Sequence, residues 1–276
     1  MAKIRIAQLQ TRVVPGQEEN LAALPAQMEA VCQAGTDLVC LPEMFCCPYG
    51  TENFPRYAQE EGGPVYQALS ELAKSFGVYL SAGSVPERGE GGRLYNTAYM
   101  FDRQGRQIGK HRKIHLFDVD IPGKIQFLES RTLSPGDQIT VFETEFCKMG
   151  LCICYDIRFP ELSRAMTDRG AQVILVPAAF NRTTGPLHWE LLFRSRAADN
   201  QVFTVGTSPA LDMAADYHAW GHSLAVDPWG KVLGQLSDET GVLYTQLDLE
   251  QISQVRQQLP LLRQRRKDVY GQWDGQ

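Results

Sequence analysis

Apolar positions recur along the chain with two periods. Residues 3–10, KIRIAQLQ, alternate polar and apolar side chains, which predicts a strand. The next segment, QEENLAALPAQMEAVCQAG, places Leu21, Leu24, Met28 and Val31 at helical spacing, with Pro25 set to interrupt or kink the helix. TDLVCLPE is a short apolar run behind a glycine and predicts a buried strand ending at Glu43. GPVYQALSELAKSFG then predicts a helix, VYLSAGSVPE a strand, and RLYNTAYMFDRQGRQIGKHRK a hairpin turning at Gln104-Gly105.

The second half keeps this rhythm. KMGLCICYD predicts a strand, FPELSRAMTDRGA a helix with Pro160 in its first turn, QVILVPAAF a strand and HWELLFRSRAADN a helix. Strands follow at QVFTVGTS, GHSLAVD and GVLYTQLD, with a turn at Pro228-Trp229-Gly230, and LEQISQVRQQLP is the last helix before an irregular tail over about 259–276. Strands that alternate with helices, interrupted by hairpins, predict an α/β protein with mixed sheets. Two sheets packed face to face with helices outside satisfy this pattern, and so does one wide sheet.

Composition narrows the function more than the fold. The 276 residues are 43% hydrophobic and 21% charged, with no linker, repeat or low-complexity tract, so one domain spanning 1–276 is expected. A net charge of -5, with only the short basic run RQRRKD near the C-terminus, argues against nucleic acid or an anionic membrane as the partner. No apolar leader precedes the first strand and no run of about 18 apolar residues occurs, so a soluble, cytoplasmic protein is expected. Seven cysteines, at 32, 40, 46, 47, 147, 152 and 154, are an odd number without a secretion signal; reduced thiols are expected.

Three reactive side chains share one structural address, the end of a predicted strand. Glu43 closes LVCLPE, Lys113 follows the hairpin arm in GKHRKIHLFD, and Cys154 closes GLCICYD. Taken singly, a strand-end Glu caps or pairs, a Lys in a basic cluster is solvated and a strand Cys is a small hydrophobe. Together they suffice for acyl transfer: a thiol nucleophile, a carboxylate to take its proton, and an ammonium with a backbone N–H to hold the oxyanion. A Cys–His dyad drawing on His111, His115, His188, His218 or His222 lacks any local signature. CICYD and FCCP lack metal-knuckle spacing, no phosphate-binding glycine loop occurs, and the chemistry requires no metal or organic cofactor.

At LVCLPEMF, HRKIHLFD and GLCICYDIRFPE the sequence resembles the nitrilase superfamily of carbon–nitrogen hydrolases, whose motifs carry Glu, Lys and Cys in this chain order. The resemblance covers nearly the whole chain. Within the superfamily KIHLFDVDIPGKIQFLES, TLSPGD, FNRTTGPLHWELLFRSRAADNQVF and AWGHSLAVDPWG look most like the omega-amidases, with the amidases of deaminated glutathione as a sister group. It implies a four-layer α-β-β-α sandwich that dimerises through a helical face. It further implies Cys154 as nucleophile, Glu43 as general base, Lys113 as oxyanion stabiliser and Glu129 as the second glutamate beside them, orienting Lys113 or the incoming amide.

A substrate carboxylate beyond the amide would suit Arg158, whose bland alternative is a salt bridge to Glu161 or Asp156. Thr184 is expected to donate a hydroxyl to the same end, Phe180 to form an apolar wall, Tyr49 to line the mouth and Tyr155 to supply the backbone N–H. One departure concerns Cys152, where relatives often have Gly. Strand alternation would put its thiol on the same face as Cys154, about 6.6 Å away. A non-catalytic binding module of the same fold is the alternative of another class, and the intact Glu, Lys and Cys argue against it.

Overall fold

The computed structural model describes residues 3–123 and 125–270. The strand Lys3–Gln10 lies between Gly241–Asp248, antiparallel to it, and Leu38–Cys40, parallel to it. Tyr79–Ser81 continues this first sheet in parallel, and Leu94–Phe101 follows antiparallel. Val85–Arg88 and Gln107–Arg112 also pair with Leu94–Phe101. A second sheet runs in the spatial order Val232–Gln235, Leu224–Val226, Phe203–Thr207, Val173–Pro177, Lys148–Leu151, Thr140–Glu143.

The apolar residues sort these elements into layers. Val31, Leu69 and Ala73 of the helices Gln17–Gln33 and Pro64–Phe76 pack with Ala7, Leu9, Val39 and Phe101 on one face of the first sheet. Ile4, Ile6, Leu38 and Met100, on its other face, join Met149, Leu151, Leu175 and Val205 of the second sheet in one cluster that also includes Trp189 and Phe193 of the helix Gly185–Asn200. The result is an α-β-β-α sandwich with mixed sheets, the first of the two arrangements that periodicity allowed. Leu94–Phe101 is buried at all eight positions because both of its faces are covered.

Local chemistry explains most boundaries. Pro64 opens its helix, where no intrahelical N–H acceptor is needed, and Gly77 closes it at φ 61°, ψ 33°. The expected strand VYLSAGSVPE is broken into Tyr79–Ser81 and Val85–Arg88, because Gly83 turns the chain at φ +60° directly beneath Pro42; a Cβ there would lie 2.2 Å from the Pro42 carbonyl oxygen. That approach seats the loop carrying Glu43. The helix Gln17–Gln33 runs on through Pro25.

Polar alternation in KIRIAQLQ does not point Gln8 and Gln10 to solvent. Both are buried between the sheets, where Gln8 Nε2 donates to the Gly206 carbonyl at 2.7 Å and Gln10 Oε1 accepts from Ser223 N at 2.9 Å. Further elements appear where the sequence reading placed none, among them the short helix Phe54–Tyr57, the ribbon Asp118–Ile121 with Ile125–Leu128, and the strands Thr140–Glu143 and Val232–Gln235. Of the segment read as an irregular tail, the described part forms two single helical turns, Leu261–Gln264 and Lys267–Tyr270, and residues 271–276 lie outside the described residues.

One buried charge cluster ties the outer strands of the first sheet. Glu87, 2% exposed, accepts from Lys110 Nζ at 2.6 Å and from Arg112 at 2.7 and 3.0 Å. Burial alone would raise its carboxyl, but hydrogen bonds from Arg112, Lys110 and Thr97 outweigh it and bring it down to about 2. A depressed carboxyl stabilises the fold above its unfolded value of 4.5, and that contribution fades as pH falls toward 2. Glu87→Gln should cost about 3 kcal/mol, the order seen when one partner of a buried ion pair is removed. Thermal melts should show a lower midpoint at pH 7 and a smaller further loss on acidification than the wild type.

Candidate active site

The three strand-end residues meet between the two sheets. Glu43 follows Leu38–Cys40 at the carboxyl end of the parallel strands, and the next residue, Met44, has φ +51° and donates its N–H to Ser84 Oγ at 3.1 Å. Lys113 follows Gln107–Arg112 and is anchored by its N–H to the Asn96 carbonyl at 2.8 Å. Cys154 arrives from the second sheet, beyond Lys148–Leu151.

Lys113 Nζ lies 3.0 Å from Glu43 Oε1 and 2.9 Å from Glu129 Oε2, and none of the three side chains is exposed. Two carboxylates thus flank one ammonium, and the remaining oxygen sites are occupied. Asn96 Nδ2 donates to Glu43 Oε1 at 2.8 Å, Ala179 N to Glu43 Oε2 at 2.7 Å and Phe117 N to Glu129 Oε2 at 2.7 Å. Burial by itself would lower Lys113, but Glu129 and Glu43 overcome it and hold the ammonium well above its ordinary value. Burial raises Glu43, Lys113 opposes and Glu129 adds to the rise, leaving a carboxylate more basic than usual. Burial, with Glu43 beside it, pushes the Cys154 thiol up, against the pull of Lys113. The thiol therefore rests protonated next to a carboxylate that can accept its proton.

The ionisable groups that act most strongly on Cys154 are Glu43 and Lys113, rather than an imidazole. His111 and His115 are committed to Asp156, and His188 to Arg158.

Cys154 does not continue the strand, which corrects the expected alternation with Cys152. Cys152 still donates its N–H to the Leu175 carbonyl, but at Cys154 the backbone turns to φ +46° and enters the 3-10 helix Cys154–Arg158. A left-handed conformation at a non-glycine residue is strained and lifts the side chain off the sheet face. Cys152 stays in the apolar core, and both thiols are free.

Asp156 holds this elbow. Its carboxylate is wholly buried and accepts from Ile153 N at 3.0 Å, His111 Nε2 at 2.9 Å, His115 N at 2.9 Å and His115 Nδ1 at 2.8 Å. One side chain therefore joins the cysteine loop to both sides of Lys113. Burial would raise its carboxyl, yet the two histidines and the Ile153 N–H hold it far below the usual carboxylate range. Asp156→Asn puts an NH₂ against one of these donor sets. We expect kcat to fall about 100-fold, the scale of a 1 Å misplacement, with KM little changed, read from steady-state ammonia release.

Of the expected pocket residues, Arg158, Phe180, Thr184 and Tyr155 line one chamber with Cys154. Arg158 pairs with neither Glu161 nor Asp156. Its Nη1 donates to His188 Nδ1 at 3.0 Å and its guanidinium lies 4.6 Å from the Phe180 ring centre. Thr184 departs from expectation, because its hydroxyl is directed at Asn181 Oδ1, 3.2 Å away. Tyr49 does more than line the mouth: its hydroxyl donates to Glu129 Oε1 at 2.6 Å and accepts from Lys113 at 3.3 Å, inside the charged cluster. Sequence reasoning missed Asn96, Asp156 and Tyr217, whose ring centre lies 4.5 Å from that of Tyr49 with the planes tilted by 34°. The available signal for Asn96 was an amide side chain in a strand that is apolar at most of its other positions.

Comparison with known proteins fits this geometry. A family model described as carbon-nitrogen hydrolase matches residues 3–257. The chain belongs to the carbon–nitrogen hydrolases. Within this family it is an amidase, 50% identical over 270 residues to the omega-amidase NIT2 of Xenopus tropicalis, with 98% of each chain covered. The crystal structure of Saccharomyces cerevisiae Nit3, a member of branch 10 of the nitrilase superfamily, matches with a TM-score of 0.87 and 42% identity over 96% of this chain and 97% of that one. A variant of the amidase from Nesterenkonia sp. AN1, with TM-score 0.80 and 26% identity over 98% of this chain and 97% of that one, carries the acetamide moiety of fluoroacetamide at its active-site cysteine. The sandwich of this carbon–nitrogen hydrolase is thus the nitrilase-like one.

Proposed function

We propose that this amidase hydrolyses the omega-amide of small 2-oxo dicarboxylate monoamides, such as 2-oxoglutaramate and 2-oxosuccinamate, to the 2-oxo acid and ammonia. The observation that carries the reading is Arg158, a cation in the chamber that holds Cys154 with no carboxylate partner among the described residues. An Arg fork suits a carboxylate, and the amide to be cleaved would then face the thiol. Similarity to omega-amidases supports the same substrate class.

In the proposed cycle the Cys154 sulfur attacks the amide carbon while Glu43 takes the thiol proton. Lys113, oriented by Glu129 and Tyr49, and the Tyr155 N–H stabilise the oxyanion; the second N–H of a helical turn has no acceptor within its own turn. Glu43 returns the proton to nitrogen, the C–N bond breaks and ammonia leaves a thioester. Water then gives a proton to Glu43 as its oxygen attacks, and collapse releases the acid and restores the thiol.

The proposal extends to a cytoplasmic enzyme that acts on a small-molecule amide without nucleic acid or membrane partners. It also includes a homodimer, supported by Leu187 and Leu191, which sit one turn apart on the helix Gly185–Asn200 and are 70% and 59% exposed. No described helix is long and apolar enough to cross a membrane. Steady-state kcat/KM for 2-oxoglutaramate, 2-oxosuccinamate and deaminated glutathione tests the substrate class: the two dicarboxylate monoamides should lead, and a clear lead for deaminated glutathione would overturn it. Arg158→Lys should raise KM for the monoamides about tenfold, since a point charge replaces the fork; an unchanged KM would remove the clamp.

A further inference from the structure

Asn181 is 6% exposed and lines the Cys154 chamber beside Arg158. Its Oδ1 accepts from Thr183 N at 3.0 Å, Thr184 N at 2.9 Å and Thr184 Oγ1 at 3.2 Å. Two of these partners are backbone N–H groups, which only donate, so the amide has a single allowed orientation. In that orientation Nδ2 is a donor, and it has no partner among the described residues. Arg158 Nε, in the same chamber, is also buried and unpartnered. Native interiors leave few buried donors unmatched, and two in one chamber call for an acceptor from outside the protein.

We propose that Asn181 is a specificity-determining residue whose Nδ2 donates to the same substrate carboxylate that Arg158 takes. The inference rests on the omega-amide reading and deepens it. Both groups only donate and one is cationic, whereas a carboxylate offers about four lone-pair sites and a negative charge. The reacting carbonyl is already served by Lys113 and the Tyr155 N–H, so these two donors address the distal end. The role expected of Thr184 passes to its neighbour: the threonine hydroxyl is turned onto Asn181 Oδ1 and fixes which way the amide faces.

The test is the ratio of kcat/KM for glutaramate, which carries the distal carboxylate, to that for pentanamide, which does not. Asn181→Asp keeps an oxygen for the Thr183 and Thr184 donors and adds charge at the start of the helix Gly185–Asn200, where an anion is favoured. It replaces the Nδ2 donor with an anionic oxygen, and the ratio should fall about 100-fold from like-charge repulsion. Asn181→Ser keeps a short capping acceptor without the NH₂ and should lower the ratio about tenfold, which decides the matter if the aspartate variant does not fold. A ratio within twofold of wild type in a folded variant overturns the Asn181 assignment while leaving the omega-amidase reading intact. A change seen only between 2-oxoglutaramate and glutaramate overturns the carboxylate contact in favour of the 2-oxo group. If the wild-type enzyme itself does not prefer glutaramate to pentanamide, the substrate reading fails and Asn181 falls with it.

Discussion

Cys154→Ala is expected to lower kcat for 2-oxoglutaramate by at least about 10,000-fold, the scale on which loss of a covalent nucleophile acts, whereas Cys152→Ala should retain activity within about threefold. The two thiols are two residues apart, but their surroundings differ in kind. Cys154 faces Glu43 and Lys113. Cys152 is fully buried in the apolar core, where burial and the Asp156 carboxylate hold its thiol well above the ordinary value. A thiol kept protonated, with only a carboxylate held far below its usual range beside it, is a small hydrophobe.

Alanine is the informative replacement because it keeps the Cβ. The φ of +46° at Cys154 is then as strained in the variant as in the parent, so the elbow has no new freedom to relax. Ammonia release gives the rate, and mass spectrometry after incubation with iodoacetamide shows which thiol is alkylated. If Cys152→Ala abolishes turnover while Cys154→Ala preserves it, the assignment of the nucleophile is reversed.

The chemistry was more legible in the sequence than the geometry that holds it. Glu43, Lys113 and Cys154 stand where apolar runs end, and a run of β-branched and aliphatic residues is readable because burial on both faces leaves little else to occupy it. What periodicity could not carry was any feature set by backbone dihedrals or by partners far along the chain. The turn at Cys154 has a left-handed φ that no residue type there announces. Gly83 divides a predicted strand because Pro42, forty-one positions away, presses on it. Gln8 and Gln10 look like the wet face of a strand and are instead matched to Gly206 and Ser223 on the facing sheet. Asp156 reads as an ordinary turn residue until His111 and His115 are brought to it, 45 and 41 residues apart in sequence. The ribbon Asp118–Ile121 with Ile125–Leu128 did carry a readable signal, the alternation DVDI before Pro122-Gly123, which the hydrophobic pattern elsewhere overshadowed.

Glu43→Gln should reduce kcat about 100- to 10,000-fold, the span of general acid–base contributions, and change the shape of the pH profile as well as its height. In the wild type the base must be ionised to take the thiol proton. Burial raises Glu43, Lys113 opposes and Glu129 reinforces the rise, so the acid limb of kcat/KM should turn over above the ordinary carboxylate value of 4.5, with activity falling as pH falls through it. Glutamine cannot take a proton, and that limb should vanish. The same change removes the negative charge that raises Cys154, leaving Lys113 balanced by Glu129 alone. The thiol value should therefore drop while burial still holds it above the ordinary one, and residual activity should climb with pH as thiolate forms unaided. Glutamine is isosteric but carries one NH₂, which must face either the Ala179 N–H or the donors from Asn96 and Lys113. A modest loss of thermal stability should accompany the kinetic change, and the pH profile separates the two, since misfolding lowers activity at every pH alike. A Glu43→Gln enzyme with the wild-type acid limb and less than a tenfold loss would show that another group takes the proton.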